Sequence, residues 1–260
     1  MRVSRYYNLF SNIRSYTTRV SKPDVVFLPG MLCDHRIWHE AARMIEPHAN
    51  PITLDLNHCK TIDDAYDSIT SLSPNVFCLV GFSMGGYIAQ EYVLRNPEKV
   101  SHLVLAGVRA CAYTDDEKQA RYPLIEKAKK GLFKGFTKKN FQDWVHKKHV
   151  ESEIITLLDS MAREAGINTF ICQQSLLLTR PDLRQRLQQI NCPTLVVGGN
   201  DDSIVLPEKI AELANCIPNA ALHLIPECGH YSPLENSNEF ASQLIKFLQD
   251  FNYTDRFRVK

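Results

Sequence analysis

Val76-Phe77-Cys78-Leu79-Val80-Gly81-Phe82-Ser83-Met84-Gly85-Gly86 carries the decisive pattern: an apolar, β-prone run that ends on a serine set between glycines. The run Tyr87-Ile88-Ala89-Gln90-Glu91-Tyr92-Val93-Leu94 follows directly and has helical character. A chain that leaves a buried strand, reverses sharply and enters a helix must place Ser83 at the apex of the turn. That turn pushes Ser83 toward a strained backbone conformation. Positions 81 and 85 must be small there, because side chains would strike the neighbouring strand and helix. The helix opening at Met84 aims its free N–H groups and partial positive charge at the serine. A glycine-flanked serine alone also suits any tight turn; the strand before it and the helix after it make Ser83 a candidate nucleophile.

Outward from this turn, short β-rich runs alternate with helical stretches, which predicts a mostly parallel α/β sheet of about six to eight strands with helices on both faces. Expected strands are Val25–Leu28, Ile52–Leu54, Val76–Val80, Leu103–Ala106, Thr194–Gly198 and Ala221–Ile225. Expected helices are Arg36–Ile45, Ile62–Leu72, Met84–Arg95, Pro207–Ala214 and Ser237–Phe251. The alternation breaks over 109–189, which reads as consecutive helices. Helices inserted there would cover the strand ends, where α/β folds place ligands. The chain thus divides into a basic extension (1–23), a core (24–108 and 190–260) and a helical cap insertion (109–189).

Composition narrows the classes. The 260 residues, 44% hydrophobic and 23% charged, fit one globular domain with an insertion. Thirty basic residues nearly cancel 29 acidic ones, so the overall charge points to neither nucleic acid nor a membrane surface. No apolar run is long enough for a transmembrane helix. The eight cysteines are scattered without a Cys-x-x-Cys pair, so neither a metal nor a disulfide framework is expected, and the setting is read as cytoplasmic. The N-terminus adds an alternative: Arg2, Arg5, Arg14, Arg19 and Lys22 precede any acid, with apolar residues at helical spacing, a composition that also suits organelle targeting by residues 1–22.

An activated serine needs a base, an orienting acid and donors for a developing oxyanion. Past Ser83, Leu195-Val196-Val197-Gly198-Gly199-Asn200-Asp201-Asp202 is a strand entering an acidic loop. Either aspartate suits the acid, and either suits a turn or the N-cap ahead of Pro207. His230, in the loop Cys228-Gly229-His230 after the last strand-like run, is the candidate base. The other eight histidines read as structural or solvated; His146 and His149 sit on a lysine-rich stretch.

From Asp24 to Phe251 the chain resembles the α/β-hydrolase superfamily. The likeness is carried by Leu28-Pro29-Gly30-Met31-Leu32-Cys33-Asp34 with Trp38, by the Gly-Phe-Ser-Met-Gly-Gly turn, by the Gly-x-x-Asp loop and by Gly229-His230-Tyr231-Ser232-Pro233-Leu234-Glu235. Its loops and cap are most similar to bacterial-type carboxylesterases, including methyl-ester esterases that act on acyl-carrier-bound chains. The resemblance implies a Ser83–His230–Asp202 triad, with Asp201 in reserve, since the family's acid falls three residues after the loop glycine. It implies an oxyanion hole from the backbone N–H groups of Met31 and Met84. Pro29-Gly30 stands where many members have His-Gly. The implied reaction is hydrolysis of a small or medium acyl ester without cofactor or metal. Carbon–carbon-bond hydrolysis, a lyase reaction or small-molecule reception on the same scaffold are the alternatives.

Between Glu117 and Val150 ten Lys or Arg stand against three acids. Clustered on one face they would attract an anionic acyl carrier; dispersed, they are solvated helix faces. Leu124, Ile125, Leu132, Phe133, Phe136 and Phe141 are interleaved with them as candidates for an acyl pocket or for core packing.

Overall fold

A computed structural model describes residues 22–72 and 75–250. Six strands form one sheet: β1 (Asp24–Leu28), β2 (Asn50–Thr53), β3 (Phe77–Phe82), β4 (Val100–Ala106), β5 (Thr194–Gly199) and β6 (Ala220–Ile225). Their order is β2-β1-β3-β4-β5-β6 and every pairing is parallel. The sheet expected from the sequence is therefore present, at the lower end of the expected strand number.

Side chains alternate across the sheet, as a two-residue period dictates. Val25, Phe27, Cys78, Val80, Val104 and Val197 face one side, against α1 (His39–Ile45) and α9 (Ser237–Asp250). Val26, Leu28, Leu79, Leu103, Leu105 and Val196 face the other, against α2 (Ile62–Leu72), α3 (Met84–Arg95) and α7 (Pro207–Cys216). Both faces are covered, so β3 and β4 are buried along their whole length; β3 reads as an unbroken apolar run, and β4 does so from Leu103 onward. Trp38 anchors the first face, its ring 5.0 Å from Phe27 and 5.7 Å from Phe240. It is fully buried, and truncating such a residue costs about 3–5 kcal/mol.

Between β4 and β5 the chain runs through α4 (Asp115–Lys129), α5 (Lys138–Trp144) and α6 (Glu153–Leu178), and α8 (Ser232–Glu235) precedes α9. A full capping box starts α4: Thr114 accepts from the Glu117 N–H, while Glu117 accepts from the Thr114 N–H. At Gly166 (φ 79°) α6 breaks, a left-handed conformation that glycine reaches without a Cβ clash. Strand bounds shift by one to three residues from expectation, and two helix starts also depart from it. The stretch from His35 to Trp38 is a 3₁₀ turn ahead of α1, its first N–H groups tightened by Asp34 accepting from the Arg36 N–H. The N-cap of α7 is Leu206, so neither loop aspartate caps it. The basic extension falls outside the described residues over 1–21. Among the described residues no helix is long and apolar enough to cross a membrane.

Candidate active site

In a parallel sheet the loops beyond the strands' C-terminal ends share one edge. The loops after β1, β3, β5 and β6 bring Met31, Ser83, Asp202 and His230 to that edge. Ser83 sits at the β3–α3 turn with φ 50° and ψ −110°, which a side-chain-bearing residue adopts only at a cost of about 1–3 kcal/mol. Its N–H donates to the Ala106 carbonyl (2.9 Å) and its carbonyl accepts from the Tyr87 N–H (3.0 Å), so the turn is held from both sides. The glycines are sterically required. A Cβ on Gly81 would lie 2.5 Å from the Gly85 oxygen, and one on Gly85 would run into the carbonyls of Leu28 and Pro29.

The structure brings Ser83, His230 and Asp202 into one hydrogen-bonded line. His230 Nε2 is 3.1 Å from Ser83 Oγ, and His230 Nδ1 is 2.8 Å from Asp202 Oδ2. Asp202 is 1% exposed and His230 4%, so water does not compete for this pairing. The second oxygen of Asp202 accepts the N–H groups of Ile204 and Val205, both at 2.8 Å, which fixes the carboxylate plane. Asp201 is exposed, and its N–H donates to the Cys228 carbonyl. The two neighbours point apart, one inward and one to solvent.

Glu235 holds the histidine loop, a role that sequence reasoning missed. Its buried carboxylate accepts N–H groups from Gly229 (2.9 Å), Tyr231 (2.9 Å) and His146 (2.7 Å). The His230 N–H donates to the Trp144 carbonyl (2.9 Å). The segment after α5 is thereby tied to the loop that carries His230, and a Cβ on Gly229 would collide with that segment's backbone. The lysine-rich stretch around His146 is thus in part a backbone strut. The available signal was an acid five residues past the histidine, in the quoted Gly-His motif.

The loop after β1 passes beside Ser83: a Cβ on Gly30 would sit 3.4 Å from the serine Cβ. Leu32 is left-handed (φ 57°), and its N–H donates to Gln173 Oε1 of α6 (2.8 Å). Gln173 Nε2 donates to Asn57 (3.2 Å), and Asn57 Nδ2 donates to the Cys33 carbonyl (3.3 Å). This fastening presents Met31 to the cavity, while Met84, first in α3, has no intrahelical acceptor for its N–H.

A cavity of about 340 Å³ opens over Ser83 and His230, walled by Met31, Leu124, Phe136 and Trp144 among others. Of the six apolar candidates in the basic stretch, Leu124 and Phe136 reach this cavity. Ile125 and Phe141 are buried in packing, Phe133 stacks on Phe170 (4.9 Å), and Leu132 is 74% exposed. A smaller cavity of about 50 Å³ shares Ser83, Tyr113 and Arg121 with the first and is also lined by Met84, Arg109 and Arg180. Among the described residues no group of three or more His, Cys, Asp or Glu is placed to hold a metal ion.

The family model described as serine aminopeptidase, S33, matches residues 57–237. A 2-hydroxy-6-oxononadienedioate/2-hydroxy-6-oxononatrienedioate hydrolase of Paraburkholderia phymatum is 32% identical over 182 residues, 65% of this chain. The chain spans 61% of that relative's length. A pimeloyl-[acyl-carrier protein] methyl ester esterase of Shewanella woodyi is 28% identical over 218 residues, covering 78% of this chain and 80% of the relative. A thermophilic esterase from Thermogutta terrifontis superposes with a TM-score of 0.80 at 21% identity, over 88% of this chain and 90% of that one, a likeness of fold.

Proposed function

We propose that this chain, which belongs to the α/β-hydrolase family described as serine aminopeptidase, S33, is a serine hydrolase that cleaves carboxylic esters of small or medium acyl chains. The observation that carries the reading is the hydrogen-bonded line Ser83–His230–Asp202 at the floor of a largely apolar cavity.

The geometry suits acyl transfer to water. As Ser83 Oγ attacks the ester carbonyl, its proton passes to His230 Nε2, 3.1 Å away. Asp202 accepts from Nδ1 and stabilises the imidazolium, held in plane by its bonds to Ile204 and Val205. The N–H groups of Met31 and Met84 take the oxyanion, with donors fixed in advance by the α3 terminus and the Gln173-pinned loop. The tetrahedral intermediate collapses as His230 Nε2 gives its proton to the leaving alcohol. Water, deprotonated by the same nitrogen, then releases the acid from Ser83. Residues 109–189 act as the cap in this reading, supplying Tyr113, Leu124, Phe136 and Trp144 to the substrate wall. The exposed lysines of that stretch would receive an anionic acyl carrier, as the relative from Shewanella woodyi suggests by its name. The cytoplasm is the proposed setting, supported by eight free cysteines.

Carbon–carbon-bond hydrolysis is the second reading, favoured by the relative from Paraburkholderia phymatum. Turnover of p-nitrophenyl esters of increasing chain length, with fluorophosphonate labelling alongside, separates the two. Fast, Ser83-dependent ester turnover is the expected result. Labelling of Ser83 with negligible ester turnover would move the assignment to carbon–carbon hydrolysis, a lyase reaction or small-molecule reception.

A further inference from the structure

Arg109, Arg121 and Arg180 lie far apart in the chain, in the segment after β4, in α4 and just past α6. They converge on one ring. Their guanidinium carbons stand 4.8, 4.2 and 4.5 Å from the centroid of Tyr113. One carboxylate accompanies them. Glu117 pairs with Arg109 through two bonds of 2.7 Å and accepts from the Thr114 N–H. Arg109 holds that carboxyl down to about 2, so it is committed as an anion to Arg109.

Arg121 and Arg180 therefore remain unbalanced: neither makes an ion pair with any described residue. Arg180 is 7% exposed, and its side chain donates from Nη2 to the Cys111 carbonyl (2.7 Å); its Nε is buried without an acceptor. Burial without a counter-ion pulls its pKa down from the usual guanidinium range. Arg121 reaches Gln174 Oε1 (3.3 Å), and its Nε is likewise buried and unanswered. A buried cation without a counter-ion is destabilising. The attraction of a tyrosine face offsets part of that. Both arginines line the small cavity that also contains Ser83 and Met84. That space holds a few waters' worth of volume, suited to a small planar anion, and the fork of N–H donors matches a carboxylate. Arg180 is too deep to meet the surface of a macromolecule.

We propose that Arg121 and Arg180 form a carboxylate subsite beside the nucleophile, so that the preferred substrate is an ester bearing a free acid on the arm that reaches Tyr113. The proposal rests on the reading of Ser83 as the nucleophile of an esterase. It narrows the substrate class to half-esters of dicarboxylic acids and their like.

The test compares kcat/KM for monomethyl esters of linear dicarboxylic acids with methyl esters of alkanoic acids of equal length, near neutral pH. The acid-bearing series should be preferred by about tenfold or more. Arg121→Gln and Arg180→Gln should each cut that ratio about fivefold or more, chiefly through KM. Glutarate should protect Ser83 from fluorophosphonate labelling in the wild type and do so less in both variants. Equal, Ser83-dependent turnover of both series would overturn the subsite and leave the esterase reading standing. If neither series turns over while Ser83 still labels, the esterase reading fails. The subsite is then judged by glutarate alone: protection that weakens in the variants upholds it, and absent protection refutes it. Should Arg180→Gln lose its cooperative thermal melt, Arg121→Gln, at a half-buried position, decides by the same ratios.

Discussion

Replacing Asp202 by Asn removes one oxygen from a site where both are in use. Oδ1 accepts the N–H groups of Ile204 and Val205 at 2.8 Å each, and Oδ2 faces His230 Nδ1 at 2.8 Å. The asparagine keeps its single oxygen on the two backbone donors and turns its NH₂ toward Nδ1. That nitrogen must then accept, so the ring proton moves to Nε2 and points at Ser83 Oγ, 3.1 Å away. His230 Nε2 has become a donor. A tautomer locked in this way lowers kcat by roughly 10⁴-fold, about 5.5 kcal/mol of barrier. Folding should suffer little, because the bonds to Ile204 and Val205 persist. Asp201 is exposed, and its hydrogen bond to Cys228 uses the backbone N–H, which Asp201→Asn retains. Its variant should stay within about twofold of wild type, as surface changes usually do. Steady-state hydrolysis of a p-nitrophenyl ester reads both. A loss of less than about tenfold in Asp202→Asn, or a larger loss in Asp201→Asn, would refute the tautomer argument.

Three further perturbations probe the supports. Gly85→Ala drives a methyl into the backbone carbonyls of Leu28 and Pro29; thermal melts should show a loss of about 1–3 kcal/mol, and kcat should drop roughly 10²-fold as the Met31 loop shifts. Glu235→Gln weakens the grip on Gly229, Tyr231 and His146; about 2–3 kcal/mol of stability should go, with kcat falling more than KM rises, and an unchanged melting temperature would contradict the anchoring role. For Glu117, the hydrogen bond from Arg109 lowers its pKa from 4.5 to about 2, so the unfolded chain binds the extra proton between those values. Stability from this pair is full above about 4.5 and is lost as pH falls toward 2. With the side chain 35% exposed, screening leaves on the order of 1 kcal/mol. Denaturant melts of Glu117→Gln should lack that part of the acid limb.

How far the sequence spoke depended on how local the signal was. Helix α2 and helix α3 run over the residues expected, Ile62–Leu72 and Met84–Arg95, because periodicity, an acidic first turn in α2 and the Asn96-Pro97 stop lie within a few residues. β4 starts earlier than expected, at Val100, since Ser101 and His102 hide their strand placement behind polar side chains that are nonetheless buried. Local pattern could not choose between Asp201 and Asp202. They are neighbours in one loop, and the path of the backbone turns one inward and the other out. The arginine cluster was invisible for the opposite reason. Its members come from three segments, and Arg121 read as one more cation in a basic stretch until Tyr113 gathered it with Arg109 and Arg180. Glu235 lay within a quoted motif, but its three N–H partners come from two loops that meet through the fold.

The central claim is that Ser83, activated by His230, attacks the ester carbonyl. Mass spectrometry of protein quenched during the pre-steady-state burst with a p-nitrophenyl ester tests it most directly. The account predicts an acyl adduct on the peptide carrying Ser83 in the wild type, and neither adduct nor burst in Ser83→Ala or His230→Ala. An adduct on another residue, or a burst that survives Ser83→Ala, would contradict it.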